Sequence, residues 1–465
     1  MAAAAPKSSQ APDLLRDPII PTLLRLASPN IVGLLAQTLT IAYDGFIVAK
    51  IGTDALAAVA LVFPLSMLMV QLSRAAIGGG VASAVARALG SGSAGRVTAV
   101  AWHGIVIELV AGVALGIALL AGGPLLYAAM GGRDEIGALA QSYALPLFAA
   151  AFATWLHNGL AAIHTGAGNM KLPAACLLGN ALTHVVLCPV LVFGIGPIPA
   201  LGIAGASTSF VTLNLIFACV LLRPLVTGRS QVRLIAMPLS RAPIREVLKV
   251  GLPASVSPFI TNGNVIVLTG YAGSFGTATL AGYGVGARLE YLLIPMVFGF
   301  GAALLAMVGR NIGAGNQQRA AQIAWNGSML VAGIAGVIGA VLSMYPAHWT
   351  RWFIPDAANP ARAAADLYLH IAGVFYAPFG FGLAFFFASQ GAGRLLWPLL
   401  GSFARLALAV AGGAVAVKLA SLHGLYAVIG LSFLVYALVP AIAFKRGSWA
   451  PRPVKPVAVA SPGET

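Results

Sequence analysis

Twelve long apolar stretches, almost free of charge, follow one another along this chain, and they decide what it can fold into. A bilayer core takes about 20 apolar residues per helix. Cutting at the charged, Gly-rich or Pro-rich breaks gives spans at roughly 24–48, 55–86, 97–121, 137–165, 173–195 and 202–226. A second set follows at roughly 250–272, 278–309, 320–343, 364–389, 396–418 and 424–444. Only 8% of the 465 residues are charged, where a water-soluble domain carries about 25%, so a soluble enzyme is excluded. The expected fold is all-α: a polytopic membrane protein of twelve transmembrane helices.

The chain repeats itself. VARALGSGSAGRVTAVAWHG (85–104) and VGRNIGAGNQQRAAQIAWNG (308–327) share eight of twenty positions at an offset of 223. GTDAL from Gly52 pairs with GTATL from Gly276, and Gly166-Ala167-Gly168 with Pro173 pairs with Gly391-Ala392-Gly393 with Pro398, at offsets of 224 and 225. Six spans per unit is an even number, so both halves insert the same way round, as in the parallel repeats of secondary transporters. The expected domains are an N-terminal tail (1–20), a first six-helix lobe (21–226), a central loop (227–249), a second lobe (250–446) and a C-terminal tail (447–465).

Twenty-seven Lys and Arg against twelve Asp and Glu leave a formal charge of +15. In a membrane protein such residues mark cytoplasmic connections. With the N-terminus inside, one set of connections and tails holds 19 of them, from Lys7 to Lys455, and the other only five: Lys50, Arg133, Arg351, Arg362 and Lys418. Both termini and the central loop are therefore expected in the cytoplasm, and no nucleic-acid partner is needed to explain the charge. The first 20 residues are broken by Pro6, Pro12 and Pro18 and lack the apolar core of a signal peptide. The stretch from Trp449 onward is Pro-rich and expected to be disordered. Cys176, Cys188 and Cys219 form neither a disulfide framework nor a zinc spacing.

Several segments resemble the multidrug and toxic compound extrusion (MATE) transporters. AQTLTIAYDGFIVAKIGTDALAAVAL (36–61) resembles their first-helix signature, a Gln with an Asp seven residues later and then a Gly-containing loop and a Leu-Ala-Ala run. GLPASVSPF (251–259) looks like the start of the second lobe, and VLCPVLVFGIGPIPALGIAGAS (186–207) like the fifth and sixth helices. YGVGARLEYLLIP with VGRNIGAGNQQRA is similar to the eighth helix and its loop. The resemblance covers roughly 20–445. It implies a central cavity, the inner membrane of a bacterium, and export of organic, mostly cationic molecules in exchange for protons or sodium. The partners implied are a small organic substrate and membrane lipid, with the chain acting as a monomer.

Asp44, Glu108 and Glu290 are the carboxylates well inside the spans. An ionised carboxylate at mid-membrane costs about 2.5–3.5 kcal/mol on insertion scales, which favours taking up a proton. Asp44 shares a helix face with Gln37 and Thr40 and matches the family's acid; the bland alternative is an Asp meeting solvent at the helix end. The fifth helix departs from the family: His184 and Cys188 stand where many members carry Asn and Asp. Asn180, His184 and Cys188 form one stripe, and histidine titrates near pH 6.5, so His184 replaces a lost carboxylate as a proton site but not as a sodium ligand. The coupling residues are expected to be Asp44 and His184, with a proton favoured over sodium and no other cofactor or metal.

Gln37, Thr40, Asn180, Cys188, Glu290, Asn264 and Phe379 are the expected substrate contacts. Glu290 either attracts a cationic substrate or makes a structural ion pair. Glu108 is read as a structural hydrogen bond, and His157 and His164 as hydrogen-bonded side chains or proton sites. Arg74 and Arg405 each stand ready to neutralise an intramembrane acid. GSGSAG and GAGN lack the Lys-Ser/Thr ending of a phosphate-binding loop, so transport runs on an ion gradient. The alternative function is a flippase for a lipid-linked oligosaccharide, for which Arg74, Arg288 and Arg405 would supply positive charge.

Overall fold

The computed structural model describes residues 13–449; the expected tails at 1–12 and 450–465 lie outside the described residues. Twelve helical runs carry the fold. They are α1 (Ile19–Ala49), α2 (Thr53–Gly90), α3 (Ala94–Ala129), α4 (Asp134–Ala149 and Ala151–Gly166), α5 (Lys171–Phe193) and α6 (Ile203–Val226). After the central loop come α7 (Arg241–Ser274), α8 (Thr277–Gly313), α9 (Gln317–Met344), α10 (Pro360–Ala392), α11 (Leu396–Lys418) and α12 (Leu422–Lys445). No named strand occurs among the described residues.

Ten of these runs are individually long and apolar enough to cross a bilayer, and the two parts of α4, bent by 46°, make an eleventh. α7 is long enough, but Asn262, Asn264, Pro253 and Pro258 dilute its apolar character. Its packing against α11 and α2 holds it in place. It also begins at Arg241, inside the stretch expected to be loop; Pro243 falls in its first turn, where a missing N–H breaks no helical hydrogen bond.

Three helices are irregular for identifiable reasons. α2 passes through a π-helical turn at Leu72–Ile77, an inserted residue that re-aims the side chains around Arg74. α10 tightens into a 3₁₀ turn at Gly373–Phe375 and restarts at Tyr376. Pro378 has no N–H for the Val374 carbonyl, so the helix changes geometry just where proline is tolerated. α4 breaks at Ala150, which leaves helical geometry at φ −106°, ψ 28°.

The cores show how the halves meet. One buried cluster, around Val62, Tyr127, Phe148 and Trp155, lies within α1–α6. Another, around Leu268, Tyr368, Tyr426 and Phe433, lies within α7–α12. Clusters that mix the halves gather towards the end carrying the central loop, where Ala76 meets Val250, Ala254 and Phe386. There α2 and α8 cross with no room for a side chain: a Cβ at Gly90 would run into the Arg310 carbonyl oxygen, and one at Gly313 into that of Arg87. Gly90 and Gly313, like Arg87 and Arg310, are equivalent positions of the repeat. Glu246 on α7 closes the same end, pairing with Arg96 at 2.7 Å and with Arg87 at 3.7 Å.

Both ends of the described residues fasten to this side. Asn311 donates to the Leu14 carbonyl at 3.0 Å, and Arg319 donates to that of Asp17. Trp449, expected to open a disordered tail, is instead 1% exposed. Its indole N–H donates to Ser389 at 2.8 Å, and its ring packs on Phe385 and Phe444.

Candidate functional site

α1 and α5 run side by side, and Pro189 determines where they join. A proline inside a helix leaves the carbonyl four residues earlier without its donor. That carbonyl belongs to Val185, and the Tyr43 hydroxyl on α1 donates to it at 2.9 Å. The next residue of α1 is Asp44, which this bond sets against the α5 stripe. Asp44 Oδ1 lies 2.6 Å from His184 Nε2 and 3.7 Å from Cys188 Sγ. On the far side of the ring, His184 Nδ1 is 3.1 Å from the Ser209 hydroxyl of α6.

The pair is asymmetric in its access to solvent: the His184 side chain is 0% exposed and that of Asp44 22%. With a neutral ring, Nε2–H donates to the carboxylate and Nδ1 accepts from Ser209; with a protonated ring, both nitrogens donate. Ser209 suits either state because its hydroxyl both donates and accepts. A proton can thus be held at Asp44 or at His184 without breaking the chain of hydrogen bonds. One ligand atom each from Asp44, His184 and Cys188 also lies within 4.8 Å of the others. Carboxylate, imidazole and thiol together suit a borderline metal such as zinc and do not suit sodium.

The other expected site residues divide between this place and others. Gln37 faces the interior two turns before Asp44, but its Oε1 accepts from Arg74 Nη1 at 2.6 Å. Thr40 turns its hydroxyl back to the Ala36 carbonyl of its own helix at 3.0 Å. Asn180 is half-buried one turn before His184. Asn264 is 2% exposed and donates to the Ile260 carbonyl of its own helix at 3.0 Å.

Glu290 and Phe379 belong to a separate aromatic cluster in the second half. Glu290 accepts from the Tyr368 hydroxyl. Phe379 packs on Phe433 with centroids 5.0 Å apart. The Arg405 guanidinium sits 4.7 Å from the Phe433 ring centre. Glu108 is 0% exposed and is hydrogen-bonded by Ser73 at 3.3 Å. His164 meets the Leu221 carbonyl at 2.9 Å.

Arg74 and Arg405, read as possible partners of an intramembrane acid, differ in their surroundings. Among the described residues neither has a carboxylate within 4.0 Å; Arg74 turns to an amide, while Arg405 lies against aromatic rings and its charge still acts on Glu290. Sequence reasoning also missed Ser209 and Tyr43. Nothing marks Ser209 among the small residues of α6, whereas Pro189 does signal a carbonyl needing a donor.

The family model described as MatE matches residues 29–190 and again residues 253–415. The chain belongs to the MATE family. The two matches begin 224 residues apart (253 against 29), the offset of the internal repeat. MATE proteins are multidrug efflux transporters rather than enzymes, and they handle small organic molecules. This one is similar to the "FAD transporter" of Shewanella oneidensis, with 26% identity over 66% of this chain and 69% of that protein. It is similar also to the "Probable multidrug resistance protein NorM" of Thermotoga maritima, with 23% identity over 83% of this chain and 84% of that one. A solved MOP superfamily transporter from Pyrococcus furiosus shares its fold at a TM-score of 0.86 and 24% identity, covering 95% of this chain and 98% of that one. The fold of this MATE protein is thus that of a twelve-helix, multi-pass membrane transporter.

Proposed function

We propose that this MATE protein is a proton-coupled antiporter that exports small organic molecules by alternating access between two six-helix lobes. The observation that carries the reading is the 2.6 Å contact between Asp44 and His184. Two proton-accepting groups on different helices share one position, and Tyr43 and Ser209 brace them from either side. A sodium ion there would find one carboxylate among nitrogen and sulfur, whereas hard cations want several oxygens. Loading the pair with a proton replaces a charged contact by a neutral or redistributed one, which alters how firmly α1 is held on α5.

In this reading the first lobe is α1–α6, the second is α7–α12, and both termini face the cytoplasm of a bacterial cell whose inner membrane holds the protein as a monomer. The closed end with Arg87, Arg96 and Glu246 is then the cytoplasmic gate. The family resemblance implies organic cations as the cargo. The relative named for FAD, a dinucleotide with two phosphates, suggests a different charge. A flippase is less well supported, because two of the three arginines it would use, Arg288 and Arg405, are directed at aromatic rings, 5.1 Å from Phe353 and 4.7 Å from Phe433.

The test is dye accumulation in an efflux-deficient bacterium, using ethidium, rhodamine 6G and carboxyfluorescein. Cells with the wild type should hold at least one dye below the control level, and a protonophore should erase the difference. Asp44→Asn at normal membrane levels should behave as the control. Export by that variant would overturn the proposal.

A further inference from the structure

A narrow pocket lies between the halves, away from Asp44 and Glu290, and its lining carries positive charge without any acid. α2 contributes Arg74, α1 Asn30, and α4 His157 and Asn158, while α8 and α10 contribute Phe298 and Phe387. The π-helical turn at Leu72–Ile77 is what directs Arg74 here. Among the described residues, the hydrogen-bond partner of Arg74 is the neutral amide of Gln37. His157 is 3% exposed, close enough to feel the Arg74 charge, and its Nδ1 has no hydrogen-bond partner. Asn158 directs its amide to Ser73 at 3.1 Å. Behind Ser73 stands Glu108, the nearest acid along this chain of contacts, yet it does not line the pocket. On the opposite wall, Phe298 and Phe387 meet edge to face, with centroids 4.9 Å apart.

We infer that this pocket takes an organic anion: a planar aromatic molecule whose phosphate or carboxylate group sits at Arg74 and whose ring packs on Phe298 and Phe387. A guanidinium with a neutral partner, in a site of low dielectric, attracts an anion strongly and repels a cation. Arginine also presents the forked donors that match phosphate and carboxylate oxygens. The His157 ring bonds to the Asn214 backbone through its other nitrogen, which leaves Nδ1 as an acceptor for the O–H of a singly protonated phosphate, and a buried polar atom of this kind calls for a partner. The paired phenyl rings, contributed by the other half, suit a flat ring rather than an alkyl chain. Because the pocket is walled by both halves, its occupant touches both lobes, as the cargo of an alternating-access carrier must. The inference rests on the reading of this protein as a carrier and specifies the charge of its cargo. It replaces the cationic cargo implied by family resemblance.

The test is equilibrium binding to the purified full-length protein in neutral detergent, followed by quenching of flavin or dye fluorescence. Three probes separate the possibilities: flavin mononucleotide, riboflavin (the same ring without phosphate) and ethidium (a planar cation). Flavin mononucleotide should bind at least tenfold more tightly than either of the others. Arg74→Gln should abolish that preference while leaving riboflavin binding within about twofold. Arg74→Lys, which keeps the charge and guards against a folding defect, should retain most of the preference.

Tighter binding of ethidium than of flavin mononucleotide would overturn the inference, as would an unchanged preference in Arg74→Gln. Displacement of flavin mononucleotide by short-chain phosphatidylglycerol but not by excess riboflavin would assign the site to a lipid head group and overturn it too. No ion gradient enters this measurement. A protein that fails to couple transport to protons would still give a clear answer about the charge of its ligand.

Discussion

The Tyr43 hydroxyl donates to the Val185 carbonyl at 2.9 Å, and the same bond recurs in the second half, where the Tyr271 hydroxyl donates to the Val410 carbonyl at 2.9 Å. Val185 and Val410 are 225 residues apart, the offset of the Gly-Ala-Gly repeat. In each half, then, a tyrosine of the first helix is tied to the fifth. The halves differ in what the carbonyl otherwise does. In α5, Pro189 removes the helical donor and Tyr43 replaces it; in α11 the equivalent residue is Ala414, and the helical donor remains.

This difference gives a double-mutant test. Tyr43→Phe should destabilise the purified protein by about 1 kcal/mol, the usual net value of one hydrogen bond. In a Pro189→Ala background, where a backbone N–H can serve Val185, the same change should cost clearly less. Thermal unfolding of the four proteins in detergent measures the coupling. Equal losses in both backgrounds would mean that Tyr43 does not compensate for the proline.

Replacing His184 probes the buried partner of Asp44. His184→Gln keeps a donor for the carboxylate but cannot take up a proton, so it should preserve folding and lower gradient-driven dye export at least tenfold. Ser209→Ala removes only the group behind the ring and should leave more activity than His184→Gln. Initial rates in inverted vesicles check both, and a Ser209→Ala loss as deep as that of His184→Gln would contradict the assigned order.

The crossing of α2 and α8 makes a prediction about conformation. Gly90→Leu or Gly313→Leu puts a side chain against a backbone carbonyl, with overpacking that costs about 1–3 kcal/mol. Each should push the halves apart at the central-loop end. A cysteine placed at Ser83, which is 0% exposed here, should then react faster with a water-soluble maleimide, while Glu246→Gln should give a smaller increase because Arg96 is 45% exposed and exposed ion pairs contribute little.

The charge count predicts orientation. Reporter fusions after Thr227 and after Lys445 should both report cytoplasm. A periplasmic signal from either fusion would place the closed end of the structure on the opposite side of the membrane.

Much of the fold was readable because its causes are local. Runs of apolar residues gave the spans, and the equivalence of Gly90 with Gly313 was visible in the repeat before their contact was known. Asp44, His184 and Cys188 were placed on two stripes by helical spacing, although only packing shows that His184 approaches Asp44. Arg74 was harder to place: its aim depends on a π-helical turn that no residue pattern in LSRAAI announces. Trp449 is hard to read for a related reason: its Pro-rich neighbourhood suggests disorder, while its burial depends on Phe385 and Ser389, about 60 residues earlier in the chain. Glu290 and Phe379 read as cavity residues; the tyrosines packed near them come from α8, α10 and α12, which helical spacing alone does not bring together.

The most direct test of proton coupling at Asp44 and His184 uses proteoliposomes given one gradient at a time. They would be loaded with the dye that cells export best, and release would be timed under an imposed pH gradient without sodium and then under a sodium gradient at equal pH. The pH gradient alone should drive release, and Asp44→Asn should abolish it. Release driven by sodium alone, with no pH difference across the membrane, would contradict the account.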